Sequence, residues 1–213
     1  MIFNYLYTDQ KRVYLNERNK RLINSEQVVE MVLFGDSILE GYDISRYFPS
    51  SKLIINSAVG GDRLPYMVQR LEQDVLALKP KEMLFLGGIN DIRAWQTADR
   101  TVEEVPTFVA ELVNRYSQVI SKAQAHNITV HPILITNNQE HKHNYTFINY
   151  IVNLLNIELK KLESTLNVKF IDFNQVLCNE YGTISLDLTS DGLHPNELGY
   201  LKITDLLIEK DLI

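Results

Sequence analysis

Val28-Val29-Glu30-Met31-Val32-Leu33-Phe34-Gly35-Asp36-Ser37 is the stretch on which the reading of the fold turns. Residues 28 to 34 form a short apolar run rich in branched side chains, the pattern of a strand covered on both faces. Gly35-Asp36-Ser37 then closes the strand and opens a helix. Runs of the same kind recur at Leu53 to Ile55, Met83 to Leu86, Val130 to Ile135 and Val168 to Phe173. Between them the apolar period becomes helical. Leu64, Met67, Val68, Leu71, Val75 and Leu78 share one face over 64–78, and Phe108, Leu112, Tyr116, Val119 and Ala123 share one face over 108–123. Thr101-Val102-Glu103-Glu104 has capping-box spacing ahead of the second of these, with Pro106 delaying the regular helix. Further helices are expected over 148–166 and 197–208, and over the polar stretch from Asp9 to Asn24, lying across the sheet.

Strand alternating with helix at this spacing predicts an α/β fold of three layers, α/β/α. The expected sheet is flavodoxin-like, with five parallel strands in the order 2-1-3-4-5 and right-handed crossovers. No linker, repeat or low-complexity segment interrupts the chain, so 1–213 reads as one domain, with 1–26 a helical extension packed on it. The strand order has a functional consequence. Ser37 follows the first strand, Gly61 the second and Asn90 the third, and these strands would be neighbours. At about 4.8 Å between strands, the three residues fall within roughly 10 Å of one another at the carboxyl edge, where such sheets bind ligands.

Composition narrows the classes of function. The 213 residues carry a net charge of −6, which gives no basic face for nucleic acid or an anionic membrane surface. The longest apolar runs fall well short of the roughly 20 residues that a bilayer requires, so no integral membrane segment is expected. Met1-Ile2-Phe3-Asn4-Tyr5 opens no charged-then-apolar signal, which makes the cytoplasm the expected compartment. Cys178 is the sole cysteine, so neither a disulfide framework nor a Cys-rich zinc site is available, and a buried thiol is its expected fate.

Four short pieces carry chemistry: Gly35-Asp36-Ser37, Gly60-Gly61-Asp62, Gly88-Ile89-Asn90-Asp91 and Asp191-Gly192-Leu193-His194. A serine at a strand-to-helix turn exposes its hydroxyl, though an N-cap serine would look the same. The turn is not a G-x-S-x-G elbow, because Leu39 stands where the second glycine belongs. A hydroxyl nucleophile needs a base. His194 is the candidate, with Asp191 three residues earlier to fix its tautomer; a loop histidine beside a capping aspartate is the ordinary alternative. His126 and His131 read as helix-end and strand residues, and the His141/His143 pair lacks companions for a metal site, so no metal is expected. Gly61 can present its N–H at close approach, Asn90 a side-chain amide and Ser37 its own N–H to an oxyanion; turn glycines and a turn asparagine are the ordinary readings. Neither Gly60-Gly61 nor Gly87-Gly88 fits a phosphate-binding loop, and no cofactor is expected.

Taken in order, the four pieces resemble the sequence blocks of the SGNH hydrolases, the GDSL esterase/lipase superfamily. Phe34-Gly35-Asp36-Ser37 resembles block one, Asn56 to Asp62 block two, Gly88-Ile89-Asn90-Asp91 block three and Asp191-Gly192-Leu193-His194-Pro195 block five. Within the superfamily the similarity is strongest to the catalytic subunits of intracellular platelet-activating-factor acetylhydrolases. It runs through Gly61-Asp62 with Arg70-Leu71-Glu72, and through Gly182-Thr183-Ile184-Ser185 with Gly199-Tyr200, spanning roughly Val28 to Tyr200. The resemblance implies that Ser37 is the nucleophile, His194 the base and Asp191 its orienting partner, with Ser37, Gly61 and Asn90 as oxyanion donors. Block three often has threonine where Ile89 stands, and block two threonine or serine where Arg63 stands. These departures leave the mechanism intact and bear on the substrate, since Arg63 reads either as a cation at the site mouth or as a solvated helix-start residue.

The resemblance further implies a small-molecule ester substrate with a short acyl group, acetyl esters of a carbohydrate or a phospholipid-like alcohol leading, with lysophospholipase or thioesterase activity as alternatives. It also admits a homodimer. The loop from Thr136 to Tyr145, with Ile92 and Trp95, reads either as pocket border or as ordinary surface and core. Two readings from other classes stay open, a flavodoxin-like binding module and a non-catalytic interaction subunit.

Overall fold

Strands β1 (Met31–Gly35), β2 (Ile54–Asn56), β3 (Glu82–Leu86) and β4 (Thr129–Pro132) pair in parallel in the order β2-β1-β3-β4. They belong to a computed structural model that describes residues 2–25, 27–49, 51–98, 100–141 and 143–213, the side chains of 2–8 excepted. Every residue of β1 is buried, as a strand covered on both faces requires. Its register sets Leu33 beside Asn56 and Leu84, and Gly35 beside Leu86, so β1 and β3 end level at the carboxyl edge. β1 starts later than the apolar run suggests, because Val28 projects into solvent at 62% exposure.

The expected fifth strand is reduced to a bridge. Ile171 pairs with Ile133 through Leu134 N–H to Ile171 O and Ile171 N–H to Pro132 O, both 2.8 Å. The flanking amides are taken by side chains instead: Phe170 N–H donates to Glu163 and Asn174 N–H to Asp172 Oδ1. β4 is shortened for a similar reason. Ile135 exchanges hydrogen bonds with the Asn156 side chain at 2.9 and 2.7 Å rather than with a strand. The order 2-1-3-4 therefore holds as a ladder, and the fifth segment occupies its place with the Glu163 and Asp172 carboxylates taking amides that a ladder would use.

The helices are α1 (Ile2–Asn24), α2 (Ser37–Glu40), α3 (Ile44–Tyr47), α4 (Leu64–Asp74), α5 (Ile89–Gln96), α6 (Val105–Gln124), α7 (Tyr145–Leu166), α8 (Asn174–Leu177) and α9 (Glu197–Glu209). Of the extension expected over 1–26, Met1 and Glu26 lie outside the described residues. The helix expected over 64–78 divides at Val75 into α4 and a 3₁₀ turn that ends at Lys79, whose φ is 48°. Pro80 follows, and a residue before proline is disfavoured in the right-handed helical region. The capping box forms as read: Thr101 N–H donates to Glu104 Oε2 at 2.8 Å over a 3₁₀ turn, and α6 begins at Val105 with Pro106 in its first turn.

α6 packs between α4 and α7. It buries Val109, Leu112, Tyr116, Val119 and Ala123, four of which the helical period assigned to the inward face. Tyr116 has a second task. Its hydroxyl donates to Gly87 O at 2.7 Å and accepts from Gly87 N–H at 3.0 Å, which satisfies both backbone groups of the turn that carries β3 into α5. Tyr116→Phe orphans that buried pair and should lower unfolding free energy by about 1–3 kcal/mol, read as a shift in the urea midpoint at unchanged slope.

Candidate active site

Ser37 is the first residue of α2, directly after β1, and Asp36 caps that single turn by accepting Ile38 N–H at 3.0 Å. Ser37 Oγ lies 2.9 Å from His194 Nε2, across 157 positions of sequence. His194 Nδ1 lies 2.8 Å from Asp191 Oδ2. The other Asp191 oxygen accepts the amides of Leu193 and His194 at 3.0 and 2.9 Å. Burial alone would push the Asp191 carboxyl up, but the His194 amide and ring and the Leu193 amide outweigh it and hold the pKa below the usual range. An ionised Asp191 makes Nδ1 the protonated nitrogen, which leaves Nε2 free to accept from the Ser37 hydroxyl.

The loop around His194 is held from several sides. Thr189 Oγ1 donates to His194 O at 2.8 Å and accepts Gly192 N–H at 3.0 Å, and Gln139 N–H donates to Gly192 O at 2.7 Å. Gly192 has φ 89°, and a Cβ there would come within 2.6 Å of Gln139 O, so only glycine admits this approach. The loop after β4 is thereby docked on the segment that presents His194.

The second and third pieces meet beside Ser37. Asn90, in the first turn of α5, donates Nδ2–H to Asp62 O at 3.0 Å. Gly61 has φ 75°, and nothing lies within 4 Å of the position its Cβ would take. Its neighbour Gly60 donates N–H to Glu40 Oε2 at 2.9 Å. The amides of Ser37 and Gly61 find no acceptor among the described residues. A hydroxyl, an oriented imidazole and unspent donors thus converge where three adjacent strands end, an arrangement suited to deprotonating a nucleophile beside developing negative charge.

Arg70 organises this region, and the residue-level reading of the sequence gave it no role. Its Nε donates to Asp62 Oδ2 at 2.6 Å, Nη1 to Ser57 O at 2.6 Å and to Asp74 Oδ2 at 3.0 Å, and Nη2 to Gly35 O at 3.0 Å. The guanidinium lies over the Phe34 ring, 4.3 Å from its centroid. The signal was present as Arg70 and Asp74 on the stripe of Met67 and Leu71: charges at i, i+4 on a face that the apolar residues assign to the core.

Asp36 is fully buried, and its second oxygen has no hydrogen-bond partner. Burial raises its pKa to about 7; the Ile38 amide opposes this, Asp62 and Asp91 add to it, and Arg70 opposes it. Asp91 is raised to about 6 by burial, against the Leu64 amide that it caps at 3.0 Å and the cations Arg63 and Arg115.

Other sequence candidates separate from this chemistry. Ile92 is buried, and Trp95 stacks on Phe108 with centroids 5.2 Å apart, so both are core. Arg63 donates to the Tyr66 hydroxyl at 2.8 Å. His131 meets Glu82 at 2.6 Å, His143 meets Arg93 at 2.9 Å, and His141 packs edge-on against Tyr145. Cys178 is half-buried rather than fully buried, with its thiol 3.3 Å from Asn174 Oδ1 and its pKa pushed up to about 11 by burial. An apolar groove of about 580 Å³ between α6 and α7, lined by Val109, Val113, Leu154 and Leu162 among others, shares no lining residue with the site. Among the described residues no helix is long and apolar enough to cross a membrane.

A parallel sheet surrounded by helices, with a serine, histidine and aspartate hydrogen-bonded in series at its carboxyl edge, places the chain in the class of α/β hydrolytic folds. The chain belongs to the GDSL-like lipase/acylhydrolase family, whose pattern it matches over residues 33–202, and it is a carboxylic ester hydrolase. Solved structures agree in fold. A protein from Streptococcus pneumonia provisionally described as a platelet activating factor aligns with a TM-score of 0.78 at 20% identity, covering 97% of this chain and 95% of that one. One from Bacteroides fragilis NCTC 9343, provisionally described as an acylhydrolase, aligns with 0.76 at 22%, covering 93% and 95%. A catalytic mutant of Axe2, an acetylxylan esterase from Geobacillus stearothermophilus, aligns with 0.66 at 16%, covering 85% and 93%. No curated protein sequence matches this chain.

The Asp36 shift carries a stability consequence of definite sign. Its folded pKa, about 7, lies above the 3.8 of an ordinary aspartate, so between these the folded state holds a proton that the unfolded state has released. That contribution is complete below about pH 4 and lost as pH rises to about 7. Asp36→Asn keeps the Ile38 cap and should flatten the fall in unfolding free energy across this window by up to ~1.4 kcal/mol per pH unit, measured by urea denaturation at a series of pH values.

Proposed function

We propose that the protein is a cofactor-independent serine esterase that hydrolyses short-chain carboxylic esters, acetyl esters foremost, through an acyl-enzyme. The observation that carries the reading is the unbroken chain of hydrogen bonds from Ser37 Oγ through His194 to Asp191, at 2.9 and 2.8 Å. In the proposed reaction His194 Nε2 takes the hydroxyl proton as Ser37 Oγ bonds to the ester carbonyl carbon. The oxyanion is received by the amides of Ser37 and Gly61 and the free Nδ2–H of Asn90. Collapse breaks the carbon–oxygen bond to the alcohol, which leaves with the proton from His194. Water, deprotonated by the same imidazole, then attacks the acyl-enzyme and releases the acid.

Asp191 keeps the ring in the productive tautomer and offsets the imidazolium charge while it exists. The family supports acyl-ester hydrolysis in general, and the preference for acetyl esters is supported by the likeness to Axe2, an acetylxylan esterase. A platelet-activating-factor-like phospholipid ester is the second reading, supported by the similarity of Gly61-Asp62 and Arg70-Leu71-Glu72 to that group. A binding module for a planar cofactor would use the same sheet edge, but there the Ser37 and His194 side chains already occupy one another.

Ser37→Ala should fold normally and lose p-nitrophenyl acetate hydrolysis and fluorophosphonate labelling together; retained turnover in this variant would overturn the nucleophile assignment. Asp191→Asn preserves the amide contacts but presents a donor to Nδ1, and should cut kcat by about 10⁴-fold. Asn90→Ala should cut kcat by about 10²-fold or more at little change in KM. A p-nitrophenyl ester series settles acyl length, with acetate expected to exceed octanoate in kcat/KM.

A further inference from the structure

Helix α1 precedes the family region, which begins at residue 33, yet its inward face reaches the segment that carries Gly61. Lys11, Arg12, Leu15, Arg18 and Asn19 follow one another at helical spacing, with Leu15 and Asn19 buried. Lys11 Nζ lies 3.0 Å from Glu40 Oε1, both side chains largely shielded, and the other Glu40 oxygen accepts the Gly60 N–H at 2.9 Å. Arg12 Nη2 lies 3.6 Å from the buried Asp62 Oδ1 while its guanidinium covers the Tyr66 ring. Two turns further on, Arg18 donates to Asn56 O at 2.6 Å and to Ser57 Oγ at 2.8 Å, at the start of the same segment.

The residues gripped are those on either side of Gly61. Gly61 itself is exposed, has no side chain, and has nothing within 4 Å of its Cβ position, so packing does not hold it. Its amide direction is set by Gly60 and Asp62. Asp62 matters twice, because its carbonyl accepts the Asn90 amide at 3.0 Å and so links the two outer donors of the cradle. Arg70 holds this loop from the core side through Asp62 Oδ2, and α1 holds it from the solvent side through Oδ1 and through Glu40. Two successive cations thus meet carboxylates on either side of one glycine, and each carboxylate is itself bound into the loop or its neighbour, so the contacts bear on the geometry of that loop.

We propose that Lys11 and Arg12 are positioning residues for the oxyanion cradle, making α1 a working part of the active site rather than an appendage. The inference rests on the esterase reading above. Lys11→Met and Arg12→Gln, separately and together, should lower kcat for p-nitrophenyl acetate, by about tenfold for the pair, which is less than the roughly 10²–10³-fold loss on deleting a donor. KM should change less than twofold, and the pH dependence of kcat should not move, because the Ser37–His194 contact is untouched. Lys11→Arg and Arg12→Lys should restore most of the rate. In combination with Asn90→Ala the loss should be much less than multiplicative, since both act through the Asp62–Asn90 link.

Wild-type kcat in the paired variant, an effect confined to KM, or full multiplicativity with Asn90→Ala would overturn the proposal. The Gly61 ¹H–¹⁵N resonance gives a readout independent of turnover. It should shift in the paired variant, and an unchanged resonance would overturn the brace. An absence of turnover in the wild-type protein would instead sink the esterase reading, leaving the Gly61 resonance to decide whether α1 holds the loop.

Discussion

A single buried guanidinium holds the carboxyl edge of the sheet together. Arg70 takes the last carbonyl of β1 at Gly35, the carbonyl of Ser57 just past β2, and the carboxylates of Asp62 and Asp74. Ser57 O lies just past the last pairing of β2 and would be unpaired without Arg70, while Gly35 O accepts the Val59 N–H at 2.9 Å as well, and burying a carbonyl unpaired is costly. A planar cation with five donors reaches both carbonyls at once, and the carboxylates of Asp62 and Asp74 balance its charge. Because Ser37 follows Gly35 and Gly61 precedes Asp62, the interaction that satisfies the core also fixes the spacing between a hydroxyl and the loop beside it.

The same region concentrates carboxyls. Asp62 and Asp91 lie close enough to Asp36 to add to the rise of its pKa, and the protein partners the three differently. Asp62 is ion-paired, Asp91 caps the start of α4, and Asp36 caps α2 with one oxygen and holds its proton well above the usual range. Burial of an oxygen without a partner favours the protonated form of Asp36, and either form can accept the Ile38 N–H that caps α2.

Much of the architecture was legible in local pattern. The apolar runs and helical stripes locate β1 to β4, α4, α6, α7 and α9, and the turn that delivers Ser37 is visible in Gly35-Asp36-Ser37. Two strand segments are shorter than their composition suggests, for one reason. Val168 to Phe173 and Ile133 to Ile135 have strand composition, but Glu163, Asn156 and Asn174 satisfy amides and carbonyls that a ladder would otherwise use. These partners are distant in sequence, so composition within the segment could not reveal them. Ile92 and Trp95 read either way in sequence because their partners lie elsewhere in the chain: Ile92 is fully buried, and Trp95 stacks on Phe108 and Phe147.

The chain alone determined the kinds of group available and which strands would deliver them, because side-chain chemistry and the periods of helix and strand are local properties. Tertiary structure decided what those groups do to one another. The meeting of Ser37 with His194 across 157 positions, the grip of Arg70 on two strand ends, and the reach of Lys11 and Arg12 to either side of Gly61 depend on distances that only the folded packing sets. Hydrogen bonds and ion pairs act over a few ångströms, and sequence separation says nothing about them until the sheet order has brought their partners together.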